Sequence, residues 1–452
     1  MTLRRRSRTA LAALAIALLP LTACTQVDGG DDPAPSPPPS DSGDSGATEL
    51  VTGQGVTEEA CPDAINPDNG CIYLGVLSDL TEGPFAALAV PITDAQGDFW
   101  RLVNERGGLN GYDIDIDKNT RDTKYIADEH AAQYNQISGN IAAIAQTLGT
   151  VNTESVLDDM IAKSLVAVPT TWWSGFAFDA NDGGIVMESG YSYCTEAIVG
   201  LDWFADNHGK PASVQAVGYP GDYGGDSAEG VKRWAEVNGA ELKEYVPTAP
   251  NQVAGNQDAV VSKVAAANPD VVVLGIGPAE TAEIIGKLAA GGFTGRFMGA
   301  LPTWNPALLD SPAAGAITGL YNHMSPYQNW DGDSKGIADM KEALAGELPT
   351  NGGYIIGWAI GYPMKAALEK ALENNDISPE GIASVVDGLV ASYEGMAPDQ
   401  KYGGDPQANA IQSVYVGQPN AEVELGMETI AQAYVGTTFD QTDYSAACVA
   451  SN

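Results

Sequence analysis

From residue 71 onward the sequence alternates between short, wholly apolar runs and longer amphipathic ones, and this alternation limits the possible folds more than any other feature. Ile72-Tyr73-Leu74-Gly75-Val76-Leu77 reads as a buried strand, and the stretch from about Ile92 to Val103 as a helix. Tyr112 to Ile116 alternates as a strand does, Ala127 to Ile137 is helical, and Ile141 to Ala145 is a short strand. Further strands are expected at Val166–Val168, Ser213–Val217 and Val271–Leu274, with helices at Ala228–Asn238, Val260–Ala267 and Thr281–Ala290. Strands apolar on both faces belong in parallel sheets covered by helices on each side. The expected fold class is therefore α/β, with doubly wound parallel sheets. A chain of 452 residues exceeds what one core supports, so two lobes are expected.

Charge excludes several functions. Against 22 Lys+Arg stand 59 Asp+Glu, a formal net charge of −37. Nucleic acid is excluded as a partner, because that affinity comes from neutralising phosphates. The three histidines, His130, His208 and His323, fall in a helix, a helix end and a loop, and read as surface or capping residues. There is no Gly-x-Ser-x-Gly elbow, His-Glu-x-x-His or P-loop. Asp113-x-Asp115-x-Asp117 starts like a calcium loop but has Lys118 where glycine is required and Lys124 in place of the final glutamate; it reads as a solvated strand face. Gly275-Ile276-Gly277 is half of a dinucleotide fingerprint, with Glu280 in place of the third glycine. No catalytic residue, metal or cofactor is expected, and an enzyme is the least supported function.

The N-terminus has the parts of an export signal: Arg4, Arg5, Arg6 and Arg8, then an apolar stretch from Ala10 to Leu19. That stretch is too short to span a bilayer. Leu21-Thr22-Ala23-Cys24 resembles the bacterial lipobox, which implies cleavage before Cys24 and its lipidation. Losing the four arginines would take the charge from −37 to −41. Residues 25–60, rich in Asp, Pro, Ser and Gly, are expected to be a disordered tether. Cys61, Cys71, Cys194 and Cys448 remain, an even number in an exported chain, so two disulfides are expected from three possible connectivities. Cys61–Cys71, closing a short loop, with Cys194–Cys448 is the favoured pairing.

The order of motifs resembles the type I periplasmic binding proteins, in the Leu/Ile/Val-binding branch of ABC-importer receptors. Asp79-Leu80-Thr81-Glu82-Gly83-Pro84-Phe85 is similar to that family's Thr-Gly-Pro turn. Asn104-Glu105-Arg106-Gly107-Gly108-Leu109-Asn110-Gly111 matches its helix-end pattern, in which glycines supply the left-handed cap. Asp122 with Tyr125, Leu148-Gly149-Thr150, the loop Tyr219 to Gly225 and the helix from Tyr354 to Ala371 follow in the family's order. The resemblance implies two doubly wound lobes joined by a three-crossing hinge, with ligand enclosed by closure. One lobe is assigned 61–190 and 325–398, the other 191–324 and 399–452.

Carried over residue by residue, the ligand-binding segments fall on Gly149 and Thr150, on Trp172, Trp173 and Ser174, and on Tyr223, which would close from the second lobe. Trp304 stands near Ala300-Leu301-Pro302-Thr303, where the family carries the acid that pairs with an amino group. Without that acid a buried ammonium would be unpaired, which disfavours simple amino acids. Glu188, near the first crossing, is a candidate substitute. The resemblance thus implies a monomeric, lipid-anchored, extracytoplasmic receptor. It would capture a small amino-acid-like, aromatic or quaternary-ammonium carboxylate and deliver it to ABC permease subunits, or report it to a membrane partner.

Overall fold

The computed structural model describes residues 50–450. The leader, Cys24 and the tether up to residue 49 lie outside the described residues. In the first lobe, β1 (Val56–Thr57) pairs antiparallel with the central strand β2 (Gly70–Ser78). β2 also pairs in parallel with β3 (Tyr112–Asp115), β4 (Thr120–Asp122) and β5 (Ala143–Leu148), and β5 carries β6 (Ala167–Thr170). Every residue of β2, β5 and β6 is buried, as strands covered on both faces require.

The second lobe is one eight-stranded sheet. β7 (Ser213–Gly218), flanked by the short β8 (Glu241–Leu242) and β9 (Val246–Pro247), runs parallel with β10 (Val271–Gly275), β11 (Arg296–Gly299) and β12 (Tyr321–Ser325). The chain returns through the first lobe's helices and the two-residue ribbon β13 (Val390–Ala391) and β14 (Gln400–Lys401). β15 (Ser413–Pro419) and β16 (Met427–Val435) then finish the second sheet antiparallel.

The first crossing, at Ser189-Gly190, is held by the other two. Tyr327 Oη donates to Ser189 O at 3.0 Å, and the Gln400 amide both accepts from Gly190 N at 2.7 Å and donates to Gly190 O at 3.1 Å. Gly190 has φ +88°, and a Cβ there would lie 2.7 Å from Pro326, so only glycine fits.

Four sequence expectations need correction. Residues 51–57, assigned to the tether, join the fold: Val51 exchanges backbone hydrogen bonds with Asn375 and Ile377, and Val56-Thr57 extends the sheet. The helix expected from Ile92 runs Ala86–Glu105, with Pro91 inside it. Proline leaves the Ala87 carbonyl without its helical donor, and Asn351 Nδ2 supplies one at 2.8 Å. Asp113 is not a solvated residue. It is fully buried and accepts from Ile65 N, Asn66 N, and the side chains of Asn66 and Asn69, fixing the loop between Cys61 and Cys71. His130 and His323 are likewise buried, His130 within hydrogen-bond distance of Thr147 and His323 of Leu301 O.

Disulfides join Cys61 to Cys71 and Cys194 to Cys448. The second spans 254 residues of sequence and the first only 10. On the chain-entropy model their removal costs about 5 and about 3 kcal/mol. Urea unfolding should show the Cys194→Ala/Cys448→Ala pair as the more destabilised of the two double variants; the reverse order would mean that native-state contacts, not chain entropy, dominate.

Candidate functional site

Loops at the C-terminal ends of the parallel strands converge between the lobes, where open α/β sheets bind ligands. The first lobe contributes Phe85 after β2, Tyr125 after β4, Gly149 after β5, and Thr171 and Trp172 after β6. The second contributes Tyr193, Asp222 and Tyr223. Together they line a cavity of about 40 Å³. A second cavity, of about 30 Å³, is lined by Leu301, Trp304, His323, Trp330 and Met427. Leu88 and Ile356 line both cavities and so separate the two halves of a single cleft.

Local chemistry sets each group in place. The Asp79 carboxylate accepts from Gly83 N and Phe85 N, and Asp122 accepts from Leu80 N and Thr81. The turn so fixed puts Phe85 edge-on to Tyr125, with ring centroids 4.8 Å apart. Lys124 and Tyr125 both have positive φ, a strained pair held by this packing. Gly149 lets Tyr125 approach: a Cβ there would lie 2.7 Å from the tyrosine ring. Tyr193 packs on Tyr223 at 4.5 Å and on Trp172 at 5.9 Å. Tyr223 Oη donates to Ile276 O at 3.0 Å.

The polar corner of the cage is Asp222. Burial raises its carboxyl above the usual range, while the Thr150 hydroxyl, itself 2.8 Å from Thr171 Oγ1, stabilises the charged form. Among the described residues, no lysine or arginine lines either half of the cleft, so Asp222 is its charged group. Below the cage, the loop carrying Leu301 is gripped from two sides. Glu196 accepts from Leu301 N at 3.0 Å, and His323 Nε2 lies 3.0 Å from Leu301 O. Among the described residues no three His, Cys, Asp or Glu side chains are grouped to hold a metal ion.

A periplasmic binding protein family model matches residues 72–423, most of the chain. The chain belongs to the periplasmic binding protein family. Its solved structural relatives are type I members of that family. A fatty acid ABC transporter substrate-binding protein from Thermomonospora curvata superposes with a TM-score of 0.75 at 23% identity, covering 87% of this chain and 97% of its own. A branched-chain amino acid ABC transporter protein from Thermus thermophilus with bound valine gives 0.69 at 16% identity, over 83% and 100%. A leucine-binding protein from Thermotoga maritima gives 0.62 at 17%, over 80% and 98%. No curated protein matches the sequence. The family is one of extracytoplasmic solute receptors, and the hinge and cleft above are its architecture.

In this periplasmic binding protein, Gly149, Trp172 and Tyr223 line the cage, Thr150 stands behind it on Asp222, and Trp304 lines the second half. Trp173 and Ser174 do not reach the cleft. Trp173 packs in the first lobe's core against Phe176 and donates to Val449 O, and Ser174 bonds to Asp226 and to Cys448 N. Consecutive residues in an extended loop point in opposite directions, so Trp172 and Trp173 cannot both face the ligand. Glu188 does not line the cleft either; Asp222 is the acid there. Phe85, Tyr125, Asp222 and Ile356 lay in segments matched from sequence, but Tyr193 and Leu88 gave no separate signal.

Burial raises Glu196 to about 8 and Asp182 and Asp226 to about 7, and lowers His130 and His323 to about 4. Carboxyls raised in the folded state stabilise it at low pH and lose that contribution as pH passes their folded values. Histidines lowered in the folded state oppose this below about 6.5, their unfolded value, and are silent above it. Thermal stability should therefore fall between about pH 6.5 and 8.5, and Glu196→Gln should flatten the upper part of that fall in calorimetry. An unchanged slope in the variant would remove Glu196 as its source.

Proposed function

We propose that this chain is the lipid-anchored solute receptor of an ABC importer. Its ligand would present an ammonium group to the cage of Phe85, Tyr125, Trp172, Tyr193 and Tyr223. The observation that carries the ligand class is Asp222 among five aromatic rings, with no basic side chain lining the cleft among the described residues. A cation there gains from ring faces at about 0.5–2 kcal/mol each and from the carboxylate. An anionic head would meet Asp222 without a counter-charge. Of the ligand classes that the sequence suggests, the quaternary- or primary-ammonium class fits best, with its apolar body directed past Leu88 and Ile356 towards Trp304, Trp330 and Met427. The fatty acid for which the Thermomonospora curvata protein is named is the natural contrast.

The support for delivery to a permease is the family and its ABC-transporter relatives. The support for anchoring is the Leu21-Thr22-Ala23-Cys24 motif, which would hold the folded lobes at the membrane surface by a tether. Among the described residues no helix is long and apolar enough to cross a membrane.

Tryptophan fluorescence titration of the mature protein tests the ligand class. A trimethylammonium compound should bind more tightly than its uncharged tert-butyl isostere. Asp222→Asn should weaken the cation at least about tenfold, which is about 1.4 kcal/mol, and leave the isostere unchanged. Tighter binding of the isostere, or of a fatty acid, would sink the ammonium assignment.

A further inference from the structure

A third cavity, of about 80 Å³, lies at the hinge and shares no lining residue with either half of the cleft. Its walls come from both lobes and from two of the three crossings. Glu188 and Gly190 belong to the first crossing and Gln400 to the third; Asp387 belongs to the first lobe and Tyr444 to the second. Four carboxylates line it. Asp179 and Asp387 are exposed at its mouth, whereas Asp182 and Glu188 are buried. Lys401 is its basic residue and is exposed.

The two buried acids differ in one decisive respect. Both Asp182 oxygens accept backbone hydrogen bonds, from Gly184 N and Val186 N. Glu188 is only 7% exposed, and its Oε1 has no partner among the described residues. A buried carboxyl without a donor is costly, and Asp182 and Asp226 nearby add repulsion to any charge it carries. A proton on Glu188 would remove the charge but leave the buried oxygen unbonded beside an open polar cavity. A small cation bearing N–H donors would satisfy both. The set is unsuited to a divalent metal, since no three acidic, His or Cys side chains are grouped for one among the described residues.

We propose that this hinge cavity is an accessory site for a small alkylammonium cation, bound by Glu188 and drawn in by Asp179 and Asp387. Because its walls belong to both lobes, an occupant there favours the lobe arrangement that forms the cavity. The site is independent of the cage, and the test separates the two.

Thermal unfolding of the mature protein is measured in methylammonium chloride, tetramethylammonium chloride and sodium chloride at equal ionic strength. The Asp222→Asn variant serves as the parent, so that the cleft is weakened throughout. Methylammonium should raise the midpoint above the sodium value, whereas tetramethylammonium, which has no N–H donor, should not. Adding Glu188→Gln should abolish the methylammonium increment. An equal rise with both ammonium salts, no rise with either, or an increment that survives Glu188→Gln would each overturn the proposal. The comparison between salts needs no change at Glu188, so it stands even if that variant does not fold.

Discussion

The two lobes work as one receptor because the Gln400 amide closes both backbone groups of Gly190, while Tyr327 holds Ser189. These bonds join three chain segments that are far apart in sequence, and they are buried. Buried hydrogen bonds in an enclosed setting are strong and directional, and leaving one unmade is expensive. Rotation about the crossings is therefore constrained to paths that preserve this junction. Trp172 extends the constraint to the cleft: its indole nitrogen donates to Ser189 O while its ring lines the cage. A ligand that presses on Trp172 thus acts directly on the first crossing.

Several carboxyls are buried, and the fold treats them in distinct ways. Asp113 and Asp79 are given backbone donors and become loop anchors. Asp226 accepts from Ser174 and Cys194 N, tying the two lobes. Glu188 is not fully served by the protein's own donors, its Oε1 having no partner among the described residues, and it lines a cavity. Burial without pairing is tolerated where a ligand can complete the site.

The alternation of strands and helices was legible because doubly covered parallel strands are apolar at every position, which turns topology into a pattern along the chain. The glycines after the first long helix and the disulfide cysteines were legible for similar reasons, since each answers a local geometric or chemical need. The cage was less so. Tyr193 sits three residues past Gly190, at the start of a helix, and nothing local marks it as facing Tyr223 and, across the lobes, Trp172. Asp222 was visible in its loop, but its position against Thr150 follows from how two lobes meet, which no periodicity encodes. Pro91 hid the start of its helix, because the donor that rescues Ala87 O comes from Asn351, on a segment distant in sequence.

Trp173 and Ser174, which lie away from the cleft, show what the cleft loop does on its other side. Trp173 donates to Val449 O and Ser174 accepts from Cys448 N, so the C-terminal segment lies across the back of the loop that carries Trp172. Cys448 is bonded in turn to Cys194, one residue after Tyr193 of the cage. The disulfide, Asp226 and Ser174 therefore form one buried connection from the second lobe to the first, anchored within two residues of the ring faces that would meet the ligand. Opening the cleft must either carry this strap along or break its hydrogen bonds. Since the covalent link fixes the strap to the second lobe, the bonds that can yield are those to Trp173 and Ser174. That places the mechanical limit on opening in the same short loop that lines the cage, so ligand contact and lobe restraint are set by neighbouring residues facing opposite ways.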